Sequence, residues 1–91
     1  MLVIILESVP VSLRGELSRW LIEVKAGIFI GSVSALVRDQ LWDLALSKIK
    51  EGGIWQIYTT NNEQGYTIRQ QGNTGKIVED FDGILLIKTL F

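Results

Sequence analysis

Residues 2–6 read Leu-Val-Ile-Ile-Leu, an unbroken apolar run in which three of five side chains are β-branched. Such a run lacks the in/out alternation of a strand with one wet face, so it predicts a central strand covered on both sides. The run ends at Glu7, and Ser8 and Pro10 turn the chain away. It is far shorter than the roughly 20 apolar residues that a membrane span requires. It also has no basic segment ahead of it, as a secretory leader would. The expectation is a buried strand with no membrane role.

Further elements follow from periodicity. Apolar residues at Leu13, Leu17, Trp20, Leu21 and Val24 predict one helix, with Ser12 as N-cap and Gly27 as its stop. Ile28-Phe29-Ile30 reads as a short strand closed by Gly31. Ser32 or Ser34 then caps a second helix with Val33, Val37, Leu41, Leu44 and Ala45 along one face. Lys48 and Lys50 are expected in its last turn, ahead of Gly52-Gly53, where they suit the helix dipole. Ile54 to Thr60 and Tyr66 to Gln70 flank the turn Asn61-Asn62-Glu63-Gln64-Gly65, a hairpin pattern. Residues 71–76, Gln-Gly-Asn-Thr-Gly-Lys, read as a polar loop, and Val78 to Gly83 as an acidic surface crossover. Ile84 to Ile87 with Leu90 and Phe91 form a last apolar strand. The order β-α-β-α-β-β-β over residues 1–91 describes a single α+β domain. Two helices on one face of a mostly antiparallel sheet give a ferredoxin-like sandwich, with an additional C-terminal strand over residues 83–91.

Composition narrows the chemistry. The chain has no cysteine and no histidine. Disulfide frameworks, Ser-His-Asp and Cys-His relays, and the usual zinc sites are therefore excluded. A chain without cysteine agrees with a cytoplasmic location. Nine basic and ten acidic residues leave a net charge of −1, so nucleic-acid binding would have to rest on local clusters of cations. Hydrophobic residues make up 47% of a 91-residue chain, more than so small a core needs, which predicts a homodimer with an apolar interface.

Several residues suggest sites. Glu7, at the end of the first strand, suits a hard cation such as magnesium, especially if a two-fold axis supplies a second copy; it also reads as a solvated strand end. On the predicted first helix, Arg14 and Lys25 lie about 20° apart in azimuth and roughly 16 Å apart along the axis. That spacing would let both meet phosphates of one duplex, although two unrelated surface cations would look the same. Trp42 and Leu46 sit opposite the apolar stripe and fit either a widely buried helix or a protein contact. Lys76 closes a loop that lacks the spacing of a phosphate-binding P-loop. The apolar end, Ile84, Leu85, Leu86, Ile87 and Leu90, fits edge pairing in a dimer or on a partner, as well as a strand in its own sheet.

Read in order, Glu7-Ser8-Val9-Pro10, Leu13-Arg14-Gly15, Trp20 through Ile28, Gly31-Ser32-Val33-Ser34-Ala35, Arg38, Trp42 and Asp80-Phe81-Asp82-Gly83 closely resemble the second universal CRISPR-associated adaptation protein of the type I-E branch. The resemblance spans essentially the whole chain. It implies a ferredoxin-like homodimer seated between integrase dimers, holding a double-stranded DNA fragment for insertion as a new spacer. It further implies that Arg14 contacts the duplex backbone, with Lys25, Arg38 and Lys76 as secondary contacts, and that residues 84–90 dock on integrase subunits. Some members are described as magnesium-dependent endonucleases acting on RNA or double-stranded DNA through an acidic residue at the place of Glu7, so the resemblance implies, as the alternative function, a nuclease with paired Glu7 carboxylates. Ser12, Leu36 and Gly75 depart from the pattern, standing where basic residues would be expected.

Overall fold

The computed structural model describes residues 1–72, 74, 76–81 and 83–89. Its elements run β1 (Leu2–Glu7), α1 (Val11–Leu17), β2 (Ile22–Lys25), β3 (Ile28–Gly31), α2 (Ala35–Leu46), β4 (Gly53–Thr59), β5 (Tyr66–Gly72), β6 (Lys76–Phe81) and β7 (Ile84–Thr89). The apolar run of β1 lies in the middle of a five-stranded sheet of order β2-β3-β1-β4-β5, while β6 and β7 form a separate two-stranded sheet. Every pairing is antiparallel. Leaving β5, β6 and β7 aside, this is the β-α-β-β-α-β order of the ferredoxin-like fold expected above.

Alternation along β1 sorts the two layers. Leu2, Ile4 and Leu6 are buried, and with Phe29 and Ile54 they pack on Leu13 and Leu17 of α1, Leu41 and Ala45 of α2, and Leu21 and Ile49. Val3, Ile5 and Glu7 face the other way and are half-buried. Opposite the helices, the β6–β7 hairpin brings Ile87 beside Ile5, Trp55 and Ile57. Gln64 pins it there, its side-chain amide donating to the Leu85 carbonyl (3.1 Å) and its amide oxygen accepting from Leu85 N–H (2.9 Å).

Three expectations are corrected. The first helix is seven residues long, not a continuous stripe to Val24. Pro10 precedes it in an extended conformation, taking the N-cap place assigned to Ser12, and Ser18 closes it by donating from Oγ to the Arg14 carbonyl at 2.9 Å. Beyond the helix Leu21 alone enters the core, and Trp20, Ile22 and Val24 are 56%, 70% and 60% exposed. The 3–4 spacing was satisfied by a turn and a strand, because β3 recruits Ile22 and Glu23 as partners for Ile30 and Phe29. Second, α2 starts after Ser34, whose hydroxyl accepts from Val37 N–H at 3.2 Å, and ends at Leu46, which leaves Lys48 and Lys50 beyond it. Third, the acidic crossover is strand β6, and β7 pairs with it rather than joining the main sheet.

The β2–β3 turn depends on Gly27, whose φ is +81° and whose carbonyl accepts from Leu6 N–H at 2.8 Å. A Cβ there would stand 2.8 Å from the Leu6 carbonyl oxygen, whereas one on Gly15 within α1 would meet nothing within 4 Å. The same substitution is therefore expected to act with opposite signs. Gly27→Ala should lower stability by about 1–3 kcal/mol through strained backbone and close contact. Gly15→Ala should raise it by about 1 kcal/mol. Urea midpoints of the two variants check this, and a shift in the same direction would contradict it.

Candidate nucleic-acid interface

Arg14 is positioned by its own helix. Leu13 and Leu17 are fully buried, which fixes the rotation of α1 and leaves Arg14 partly exposed beside the β2–β3 hairpin. There its Nε and Nη2 both approach one oxygen of Glu23, at 2.9 and 2.8 Å. The same Glu23 oxygen accepts from Gly27 N–H at 2.9 Å. Gly27 N–H, and then Arg14, hold the Glu23 carboxyl below the usual range, against a partial desolvation that raises it. Leu6, Ser8, Val9, Arg14, Ala26 and Gly27 line a shallow cavity of about 190 Å³ in front of this pair. Ser8 borders it with φ of +54°, a left-handed conformation at the corner where β1 gives way to α1. The guanidinium is thus fixed at the mouth of a concave, open surface.

Lys25 does not share a helix with Arg14. It ends β2, exposed, two residues past Glu23, so the helical geometry proposed for the two cations is replaced by a hairpin. Both still belong to the β2 edge of the sheet. Lys48, not assigned a site role, pairs with Glu16 at 2.7 Å and ties the segment after α2 to α1.

Arg38 belongs to a different cluster, at the β5 edge. It lies in α2, and its guanidinium stacks 4.0 Å above the Tyr58 ring and donates through Nε to Asp39 Oδ1 at 3.1 Å. Arg69 of β5 reaches the same Asp39 oxygen through Nη2 at 2.8 Å and lies 4.7 Å from the Trp42 ring centroid and 5.4 Å from that of Tyr58. Beneath them Gln56 is fully buried with both ends satisfied, donating to the Arg38 carbonyl (3.0 Å) and accepting from Arg69 Nε (2.5 Å). Hydrogen bonds from Arg38 and then Arg69 lower the Asp39 carboxyl from its ordinary range. Sequence reasoning missed Arg69, Asp39 and Gln56. The signal was present in the hairpin, whose turn fixes a register that sets Gln56 opposite Arg69. Trp42 falls one helical turn after Arg38, and it packs partly buried against the core, while Leu46 is 37% exposed.

Glu7 pairs with Gly53 at the end of β1 and lines a pocket of about 240 Å³ with Ile5, Trp55, Ile57, Thr74 and Ile87. One carboxylate among mainly apolar walls does not make the oxygen-rich donor set that magnesium takes. Among the described residues no three carboxylates are grouped to hold a metal. Among the described residues one chain therefore supplies a single carboxylate at this place. In β7, Ile84, Leu86 and Ile87 are about half exposed, at 49%, 50% and 51%. Leu90 and the side chain of Lys76 lie outside the described residues. No helix among the described residues is long and apolar enough to cross a membrane.

With this arrangement in view, the family comparison is specific: a model for the CRISPR-associated protein family Cas2CT1978 matches residues 1–86. The chain belongs to the CRISPR-associated Cas2 family. In this Cas2 chain part of the residues that carried the resemblance, Glu7 to Pro10, Leu13 to Gly15 and Trp20 to Ile28, build the corner between β1 and α1 and the hairpin that holds Arg14.

The Arg14–Glu23–Gly27 triad carries its own reporter. As pH falls, the Gly27 amide proton should titrate with Glu23, with a midpoint below 4.5, the ordinary glutamate value. Because the folded-state value is lowered, the pairing is intact above that ordinary value and is lost as pH drops through the lowered one. The titration should vanish in Glu23→Gln. A midpoint above 4.5 in amide NMR would contradict the arrangement.

Proposed function

We propose that the chain is a homodimeric scaffold of type I-E CRISPR adaptation in the cytoplasm, binding duplex DNA and bridging integrase subunits so that new spacers are inserted. The observation that carries the reading is the division of the sheet into two unlike sides. On the helix-bearing side, arginines are held in fixed orientation at both edges. On the other, Val3, Ile5, Ile28, Ile30 and Ile57 form an apolar face, only half-buried within one chain, that Ile22 extends to the β2 edge. A second copy covering that face would finish the burial that the β1 run demands. Arg14, fixed by Glu23 at an open cavity, is suited to a backbone phosphate, which takes a planar guanidinium in two-point contact.

Two measurements test this. Duplex affinity of the full chain, followed over a range of salt, should fall with Arg14→Ala, and the slope of log affinity against log salt should lessen by about one unit. An unchanged slope removes Arg14 from the interface. The exposed Ile84, Leu86 and Ile87 support docking of the terminal hairpin on integrase subunits. Deletion of residues 84–91 should leave the dimer intact and abolish co-purification with the integrase, and retention at full stoichiometry would refute that docking.

A further inference from the structure

At the β5 edge, Asp39 Oδ1 lies between two guanidiniums, 3.1 Å from Arg38 Nε and 2.8 Å from Arg69 Nη2. An anionic oxygen is thus already seated between these groups, and it belongs to a residue half exposed to solvent. One carboxylate does not balance two guanidiniums, so the cluster keeps a net charge of about +1. Among the described residues, both terminal nitrogens of Arg38 and Nη1 of Arg69 make no hydrogen bond. Neither arginine is free to collapse onto other acceptors, since Arg38 lies flat on Tyr58 and Arg69 is clasped by Gln56 beneath and Trp42 beside it. Mounting on aromatic faces leaves the in-plane N–H edges available and removes much of the rotamer entropy that a surface arginine loses on binding.

We propose that Arg69, with Arg38 beside it, forms a second phosphate seat for the duplex at the opposite sheet edge from Arg14. This rests on the duplex-binding reading above and assigns Arg69 a contact that no sequence pattern suggested. Trp42, Tyr58 and Asp39 are its positioning residues. A duplex is favoured over an isolated carboxylate or free anion because of where the two centres lie. Glu23 is opposite Phe29 and Arg69 opposite Gln56, so both arginine centres sit on the helix-bearing side. β2 and β5 are separated by four strand spacings, about 19 Å. That is the axial rise of five to six base pairs, about 3.4 Å each along one strand. A regular array of phosphates offers contacts at a spacing of that order, whereas a lone anion offers one.

The test compares Arg69→Gln, Arg69→Lys and Arg14→Ala in the full chain, with duplex affinity measured across salt and folding checked by thermal melting. Arg69→Gln should weaken binding several-fold and lessen the salt slope by about one unit, as expected for one lost phosphate contact. Arg69→Lys, which keeps the charge, should retain the slope. Equal slopes in Gln, Lys and unmodified chains overturn the proposal. If Arg14→Ala flattens the slope and Arg69→Gln does not, the second seat falls while the scaffold reading stands. If neither flattens it, the duplex-binding reading falls as well. A shift of the Arg69 Nε resonance by inorganic phosphate at constant ionic strength, with duplex affinity unmoved by Arg69→Gln, assigns the centre to a free anion and also overturns the proposal.

Discussion

The pairing of β1 on both of its edges is the constraint from which the rest follows. With β3 on one side and β4 on the other, its register sets Ile4 opposite both Phe29 and Gln56. Phe29 and Ile4 are fully buried, so a slip of one residue would turn the apolar set of β1 away from the helices. Both arginine centres inherit their position from this register. Glu23, which holds Arg14, is opposite Phe29, and Arg69 is opposite Gln56, so each centre is one strand removed from a partner of Ile4. The sites are edge features of a layer whose alignment is decided at its middle.

Gln56 shows how strictly that middle is specified. A fully buried amide inside an otherwise apolar layer costs free energy unless both ends are satisfied. Its amide nitrogen finds the Arg38 carbonyl in α2 and its oxygen finds Arg69 in β5, and no buried polar side-chain atom among the described residues lacks a partner. The contact fixes α2 in rotation and height against the β4–β5 hairpin. Packing of Leu41 and Ala45 alone would tolerate some sliding, because apolar contacts have little directionality.

Much of this was legible in the sequence, and the failures have physical causes. The central strand, the second helix, the Gly65 hairpin and the ferredoxin-like layering all came from signals in which local preference and tertiary demand agree. The predicted first helix is too long because Leu13, Leu17, Trp20, Leu21 and Val24 fit a helical stripe, while the β-branched Ile22 and Val24 fit a strand equally well. Tertiary pairing with β3 decided between them, and no window of local sequence contains that information. The sequence of β6 looks like loop because Glu79 and Asp80 are charged; as part of a two-stranded surface hairpin they remain exposed, so pairing costs them no solvation. Arg14 stands out in the sequence because its neighbours Leu13 and Leu17 place it on a helix and the family pattern includes it. Arg69 does not, since its significance lies in residues 13 and 30 positions away, Gln56 and Asp39.

The near-neutral charge that seemed to argue against nucleic-acid binding takes on a different meaning in this arrangement. Three of the four arginines, Arg14, Arg38 and Arg69, are held by only two carboxylates, Glu23 and Asp39. These acids lower the long-range field of the surface, which slows non-specific attraction to any polyanion. They also hold the guanidiniums in place, so that a phosphate arriving in the right position meets donors that need little further ordering. A surface built in this way gives up attraction at a distance in favour of contact geometry. Under the proposed scaffold role, it gains most when a second protein supplies the positive field and delivers the duplex.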